Sequence, residues 1–132
     1  MEEKLIPQNI AAEQSVLGAL LIDKTAINRV VGKLKKEDFY RPSHQITYEA
    51  RLNLHARNIP IDMVTIHKTL MDRKQSEIVG GPDYLMTMVS KTPTTANVKS
   101  YINIVRECCS RRRMKAIGEA LMKASSDTMR TV

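Results

Sequence analysis

The groups from which a catalytic or metal site could be built are few and poorly spaced. His44 and His55 lie eleven residues apart and could share a helix face, but no third ligand follows at metal spacing. Cys108 and Cys109 are adjacent. On a helix they point in different directions, and neighbouring residues can close only a strained ring, so a disulfide framework is excluded. Glu2 with Glu3 and Glu37 with Asp38 stand in polar stretches that offer no apolar pocket to an acid catalyst, and they read as exposed caps and solubilising charges. The five glycines, Gly18, Gly32, Gly80, Gly81 and Gly118, make neither a Walker A loop nor a GxGxxG turn. No Ser/His/Asp or Cys/His set can be assigned, so no catalytic, cofactor-binding or metal-ligating residue is expected.

Charge is the next chemistry to weigh. The chain of 132 residues carries a net +7, unevenly distributed. From Lys99 to Lys123 seven basic residues face only Glu107 and Glu119, whereas residues 1–98 hold thirteen basic and eleven acidic groups. Arg111, Arg112 and Arg113 are therefore candidate phosphate contacts, with a solvated helix face as the alternative.

The elements that must position these residues are helices. Strand-like alternation is nowhere sustained, and each of Pro7, Pro42, Pro60, Pro82 and Pro93 stands at or just before a segment of helical apolar spacing. Asn9 should cap a first helix that carries Glu13 in its opening turns and buries Val16, Leu17, Leu20 and Leu21. A second should run from about Asp23 or Thr25 to Leu34 on Ile27, Val30 and Leu34. Lys35 to Tyr40 reads as a loop anchored by Phe39. Pro42 opens a third helix with Ile46, Tyr48, Ala50, Leu52 and Leu54, closed near Asn58 in a left-handed cap. Asp62 should cap a fourth with Val64, Ile66, Leu70 and Met71. Gly80-Gly81 should turn the chain into a short helix with Tyr84, Leu85, Met88 and Val89, and Pro93 should mark the break before the last helix.

That last helix, from about Thr95 to Ala124, changes face. Val98, Tyr101, Ile102, Val105 and Cys109 form one stripe, but the stripe's next position is Arg112, and Met114, Ile117 and Leu121 lie about 120° around the axis at 100° per residue. Either the second half leaves the core to meet another helix or subunit, or the helix kinks near Ser110 and both halves pack on one core. The expected fold is all-α: a compact head of short helices over residues 1–109, and an outlying part of the last helix over residues 110–132. Scarce aromatics, one Phe, four Tyr and no Trp, disfavour a stacking platform for single strands. There is no apolar run long enough to span a membrane and no signal peptide at the start, and the cysteine usage fits a reducing cytoplasm.

Read as a string, Pro7-Gln8-Asn9-Ile10-Ala11-Ala12-Glu13-Gln14-Ser15-Val16-Leu17-Gly18-Ala19-Leu20-Leu21 closely resembles the opening motif of the N-terminal domain of DnaB-type replicative helicases. Further fragments follow in the family's order. They are Glu37-Asp38-Phe39-Tyr40-Arg41 with His44, Pro60-Ile61-Asp62-Met63-Val64-Thr65, and Gly80-Gly81 with Tyr84-Leu85. Thr92-Pro93 with Thr95-Ala96-Asn97, then Tyr101, Ile104-Val105-Arg106-Glu107 and Arg112-Arg113, complete the match over residues 5–117. The chain departs from the family at Cys108-Cys109, where an acidic residue or a lysine is usual, and the triple arginine is more basic than usual.

The resemblance implies a non-catalytic helical head followed by a helix that begins a hairpin, through which N-terminal domains join into a collar above RecA-like ATPase domains. It implies self-association, as a dimer of hairpins and a hexamer in the full-length protein, and docking of the C-terminal helicase-binding domain of primase. A helicase loader and DNA threaded through the ring are further implied partners. ATP and magnesium would belong to the ATPase domain, which this stretch lacks; it reads as an excised piece of a bacterial or bacteriophage protein. The expected contact residues are Tyr84, Met114, Ile117 and Leu121, with Arg111 to Arg113 as phosphate contacts. The alternative is a small basic helical DNA-binding domain. The 132-residue chain is expected neither to bind nor to hydrolyse ATP, having no Gly-rich loop followed by Lys and Ser or Thr. Isothermal titration checks this, and micromolar nucleotide affinity would overturn it.

Overall fold

The computed structural model describes residues 6–92 and 94–131, with side chains as far as Asp127. The expectations placed on Glu2, Glu3 and Pro93 lie outside the described residues. Among those described, the architecture is all-helical. In chain order it comprises α1 (Ile10–Ile22), α2 (Ala26–Val30), a 3-10 turn (Lys36–Asp38), α3 (Pro42–Ala56), α4 (Met63–Asp72), α5 (Ser76–Val79), α6 (Gly81–Ser90) and α7 (Val98–Thr131).

The α1 helix forms the axis of the head. Asn9 Oδ1 accepts the Ala12 N–H at 2.9 Å and starts the helix as its sequence predicts. Burial then goes all the way round: Ala12, Glu13, Ser15, Val16, Leu17, Gly18, Ala19 and Leu20 are all buried, because α3, α6 and α7 pack against different sides of it. Gly18 is needed where α6 arrives. A Cβ there would stand 2.3 Å from the Met88 carbonyl oxygen and 2.1 Å from Thr92 Oγ1, so the two backbones meet only over a bare Cα. Thr92 Oγ1 closes the same junction by donating to the Met88 carbonyl at 3.0 Å.

The other starts and stops follow local chemistry. Pro42 sits in the first turn of α3, and Asn58 (φ 58°) turns the chain left-handed after it. Asp62 and Thr65 exchange hydrogen bonds at the start of α4, Thr65 N–H to Asp62 Oδ1 at 2.9 Å and Asp62 N–H to Thr65 Oγ1 at 3.0 Å. Gly80, at φ 107°, ends α5 and begins α6, a conformation that β-carbon residues rarely adopt. Phe39 is buried as expected, its ring centroid 5.0 Å from that of Tyr48, whose hydroxyl donates to the Leu34 carbonyl.

Three expectations are corrected and one element is added. The second helix is only five residues long, although Ile27, Val30 and Leu34 are buried as foreseen. Val64 and Met71 on α4 face solvent at 75% and 56% exposure, and Ile66 and Leu70 alone fill the buried face, so the ten-residue helix presents a narrower stripe than its apolar count suggests. The four-residue α5 was not foreseen. Asp38, expected to be exposed, is buried and bonds inward, accepting the Lys35 N–H at 2.9 Å.

α3 also buries Arg51 completely, and none of its guanidinium nitrogens has a hydrogen-bond partner among the described residues. Burial pulls its pKa down to about 9, which leaves the group charged, and costly, at neutral pH. Arg51→Met, of similar length without the charge, is expected to stabilise the domain by about 1 kcal/mol or more. Urea unfolding followed by circular dichroism measures this; a destabilised variant would mean the guanidinium has a partner that matters.

Candidate partner-docking surface

Glu13 is the only charged side chain on the buried faces of α1, at 1% exposure. A carboxylate in that position must find hydrogen bonds inside the fold. Its Oε2 accepts the Tyr40 N–H at 2.7 Å, and its Oε1 lies 2.7 Å from His44 Nδ1. His44, at 0% exposure, places Nε2 2.6 Å from the Tyr84 hydroxyl. That hydroxyl accepts from Gln14 Nε2 at 3.1 Å and from an Arg41 guanidinium nitrogen at 2.9 Å.

Tyr84 Oη thus meets three partners, Gln14, Arg41 and His44, while the other ring nitrogen of His44 faces the Glu13 carboxylate. The Glu-His-Tyr order superficially suits proton relay. Every polar atom in it is already matched, however, and the histidine is sealed from solvent, so its work is to tie α1, α3 and α6 together.

This network decides where Tyr84 belongs. The residue is half-buried and packed against the core, its ring stacked on His44 at 5.8 Å between centroids. The structure does not join it to Met114, Ile117 and Leu121, which stand on α7 beyond the core at 63%, 60% and 67% exposure. There is no break at Ser110: α7 is one continuous helix from Val98 to Thr131. Its first stripe, Val98, Ile102, Val105 and Cys109, is buried, and its second is left open with Met122 at 73% exposure beside it.

The three arginines at the crossover divide their work. Arg111 pairs with Glu107 one turn back, at 2.9 Å on the exposed side. Arg112 turns inward instead, donating to the Pro7 carbonyl at 2.9 Å and the Asp38 carbonyl at 2.8 Å, with its guanidinium 5.4 Å over the Tyr40 ring. It is thus committed to the head and not to an outside phosphate, a correction to the expectation. Arg113 lies 3.6 Å from Asp38 Oδ1 and remains largely exposed. Burial pushes the Cys108 and Cys109 thiols up, which opposes thiolate formation and a nucleophilic role.

Residues 5–107 match the model of the DnaB-like helicase N-terminal domain. The chain belongs to that family. It is 44% identical over 117 residues to the replicative DNA helicase DnaB of Mycobacterium leprae, covering 89% of this chain and 19% of that protein. The crystal structure of the N-terminal domain of DnaB helicase from Mycobacterium tuberculosis superposes with a TM-score of 0.92 at 41% identity, over 95% of this chain and 89% of that one. The N-terminal domain of DnaB helicase from Helicobacter pylori, described together with its interactions with primase, shares the fold at a TM-score of 0.77 and 22% identity, over 88% and 90% of the two chains. The chain spans 19% to 25% of the curated DnaB-type relatives it matches most strongly.

Sequence reading passed over the Glu13–His44–Tyr84 network, although a lone carboxylate in an otherwise apolar helix was its visible signal. Tyr84→Phe deletes the hydroxyl that Gln14, Arg41 and His44 share, and is expected to cost about 1–3 kcal/mol of stability. Chemical denaturation measures it, and a loss below about 0.3 kcal/mol would mean that solvent satisfies His44, Gln14 and Arg41 equally well.

Proposed function

We propose that this chain is the non-catalytic N-terminal domain of a replicative DNA helicase, and that it serves ring assembly and the docking of primase. The observation that carries the reading is the exposed stripe of Met114, Ile117 and Leu121 on a helix that has already left the core. Residues three and four apart share a helix face, and an apolar face with no core of its own is suited to a second helix. Self-association through this face would build a collar. The Helicobacter pylori relative, described with its interactions with primase, supports primase as a partner of the same domain.

The parent would unwind DNA with ATP and magnesium held by a separate ATPase domain, and would work in the cytoplasm, where a loader could place it on DNA. No described helix of this chain is long and apolar enough to cross a membrane.

Ile117→Ser with Leu121→Ser should leave the head folded, with unchanged circular dichroism and melting cooperativity. Light scattering of the 132-residue chain, alone and with the C-terminal domain of primase, should show association for the parent and none for the variant. A variant that associates as the parent does, or that unfolds, would place this half of α7 in the core and defeat the reading.

A further inference from the structure

A second feature stands at the base of the projecting half of α7. Where the turn after α2 passes α7, a cavity of about 350 Å³ opens, lined by Val31, Lys33, Lys35, Asp38, Arg106 and Arg113 together with Cys109 and Ser110. Four cationic side chains from two separate elements thus meet around one carboxylate.

That carboxylate pairs with one of them, Arg113, and leaves three. Asp38 Oδ2 accepts the Lys35 main-chain N–H at 2.9 Å, and Oδ1 takes the Cys109 thiol at 3.4 Å with Arg113 at 3.6 Å. Lys33, Lys35 and Arg106 form no ion pair with any described residue and are exposed. Three unpaired like charges around one recess make a locally positive potential that an incoming anion would lower.

We propose that this cavity binds the phosphate backbone of a nucleic-acid strand. Three features choose that ligand. The space would hold on the order of ten waters at about 30 Å³ each, more than a bare phosphate ion fills. No aromatic side chain lines it, so bases would not be stacked and recognition would be independent of sequence. Its apolar wall is slight, since Leu34 is 3% exposed and Val31 alone offers apolar surface. An acidic protein segment would find charge but little to anchor on. The assignment goes beyond the docking reading and does not rest on it.

The test uses the 132-residue chain with a labelled 20-mer of deoxythymidine, read by fluorescence anisotropy from low to moderate salt. Three contacts to a single strand give a slope of log K against log salt of about −2, from about −0.7 per contact. Lys33→Glu with Lys35→Glu should weaken binding about tenfold or more at low salt and flatten the slope by about 1.4. Lys99→Glu with Lys123→Glu changes net charge equally on exposed parts of α7 away from the cavity, and should alter affinity less than twofold. Equal losses in the two pairs would reduce the effect to overall charge and overturn the site. So would tight binding of inorganic phosphate with none of the oligonucleotide, or polyglutamate of matched charge competing as well as the oligonucleotide does.

Discussion

A carboxylate buried in the middle of a protein cannot stand alone, and the head of this domain is arranged around that constraint. Glu13 is sealed on α1, and each of its hydrogen bonds reaches a different stretch of chain: the main chain at Tyr40 and the His44 ring on α3. Through His44 the demand passes to Tyr84 on α6, and from there to Gln14 and Arg41. Apolar packing has no direction, so helices that touch only through methyl groups can slide or rotate with modest loss. A chain of polar groups in low dielectric is intolerant of such slippage, because each broken bond leaves a buried group unmatched. The network therefore fixes the relative positions of three helices.

Close approach reinforces it. The bare Cα of Gly18 admits the end of α6 against α1, and that contact sets the depth at which Tyr84, one turn into α6, meets His44. Gly80 supplies the left-handed turn that aims α6 at this seat, and its own backbone passes so near Tyr84 that a Cβ would stand 2.8 Å from the tyrosine Cβ. Two glycines and one polar relay thus share the task of docking a helix of ten residues, which would not be stable alone.

Much of this was legible in the sequence and some was not, for reasons that differ by element. Local signals read correctly: Asn9 and Asp62 as caps, Phe39 as the loop anchor, Pro42 in a first turn, Asn58 as a left-handed stop. Each depends on chemistry within a few residues. What spacing misjudged was packing. Val64 and Met71 are apolar and at helical spacing with Ile66 and Leu70, yet they are exposed, because a helix at the edge of a head has only one neighbouring side. Arg51 is buried against its chemical type: it stands three residues from both Tyr48 and Leu54 on the buried stripe of α3, where spacing points inward and charge outward. His44 and Glu13 are 31 residues apart, so their partnership exists only once α1 and α3 pack. Among the candidate contact residues, the three on α7 could be singled out from a change of face along one helix. The position of Tyr84 depended on the same long-range network.

The change of face on α7 has a physical cause in Arg112. It occupies the next position of the stripe that Cys109 ends, where the core gives way to the rim, and a leucine there would have few atoms to touch. A long side chain with a planar, forked head can instead lie along the Tyr40 ring and reach two main-chain carbonyls, at Pro7 and Asp38, that the ends of their segments leave open. The helix is thereby held to the head just past the end of its buried stripe. Beyond it, α7 continues without a break although its residues are almost all exposed, because extending an established helix costs far less than starting one. The direction of the projecting half is consequently inherited from the head. The apolar stripe of Met114, Ile117 and Leu121 is presented on a rod whose base is fixed by Arg112, while Arg113, one residue on, turns toward the basic cavity beside it. The two surfaces follow one another along neighbouring faces of one helix, Arg113 and Ile117 being four residues apart, and are oriented by one clamp, so a change at Arg112 would disturb both.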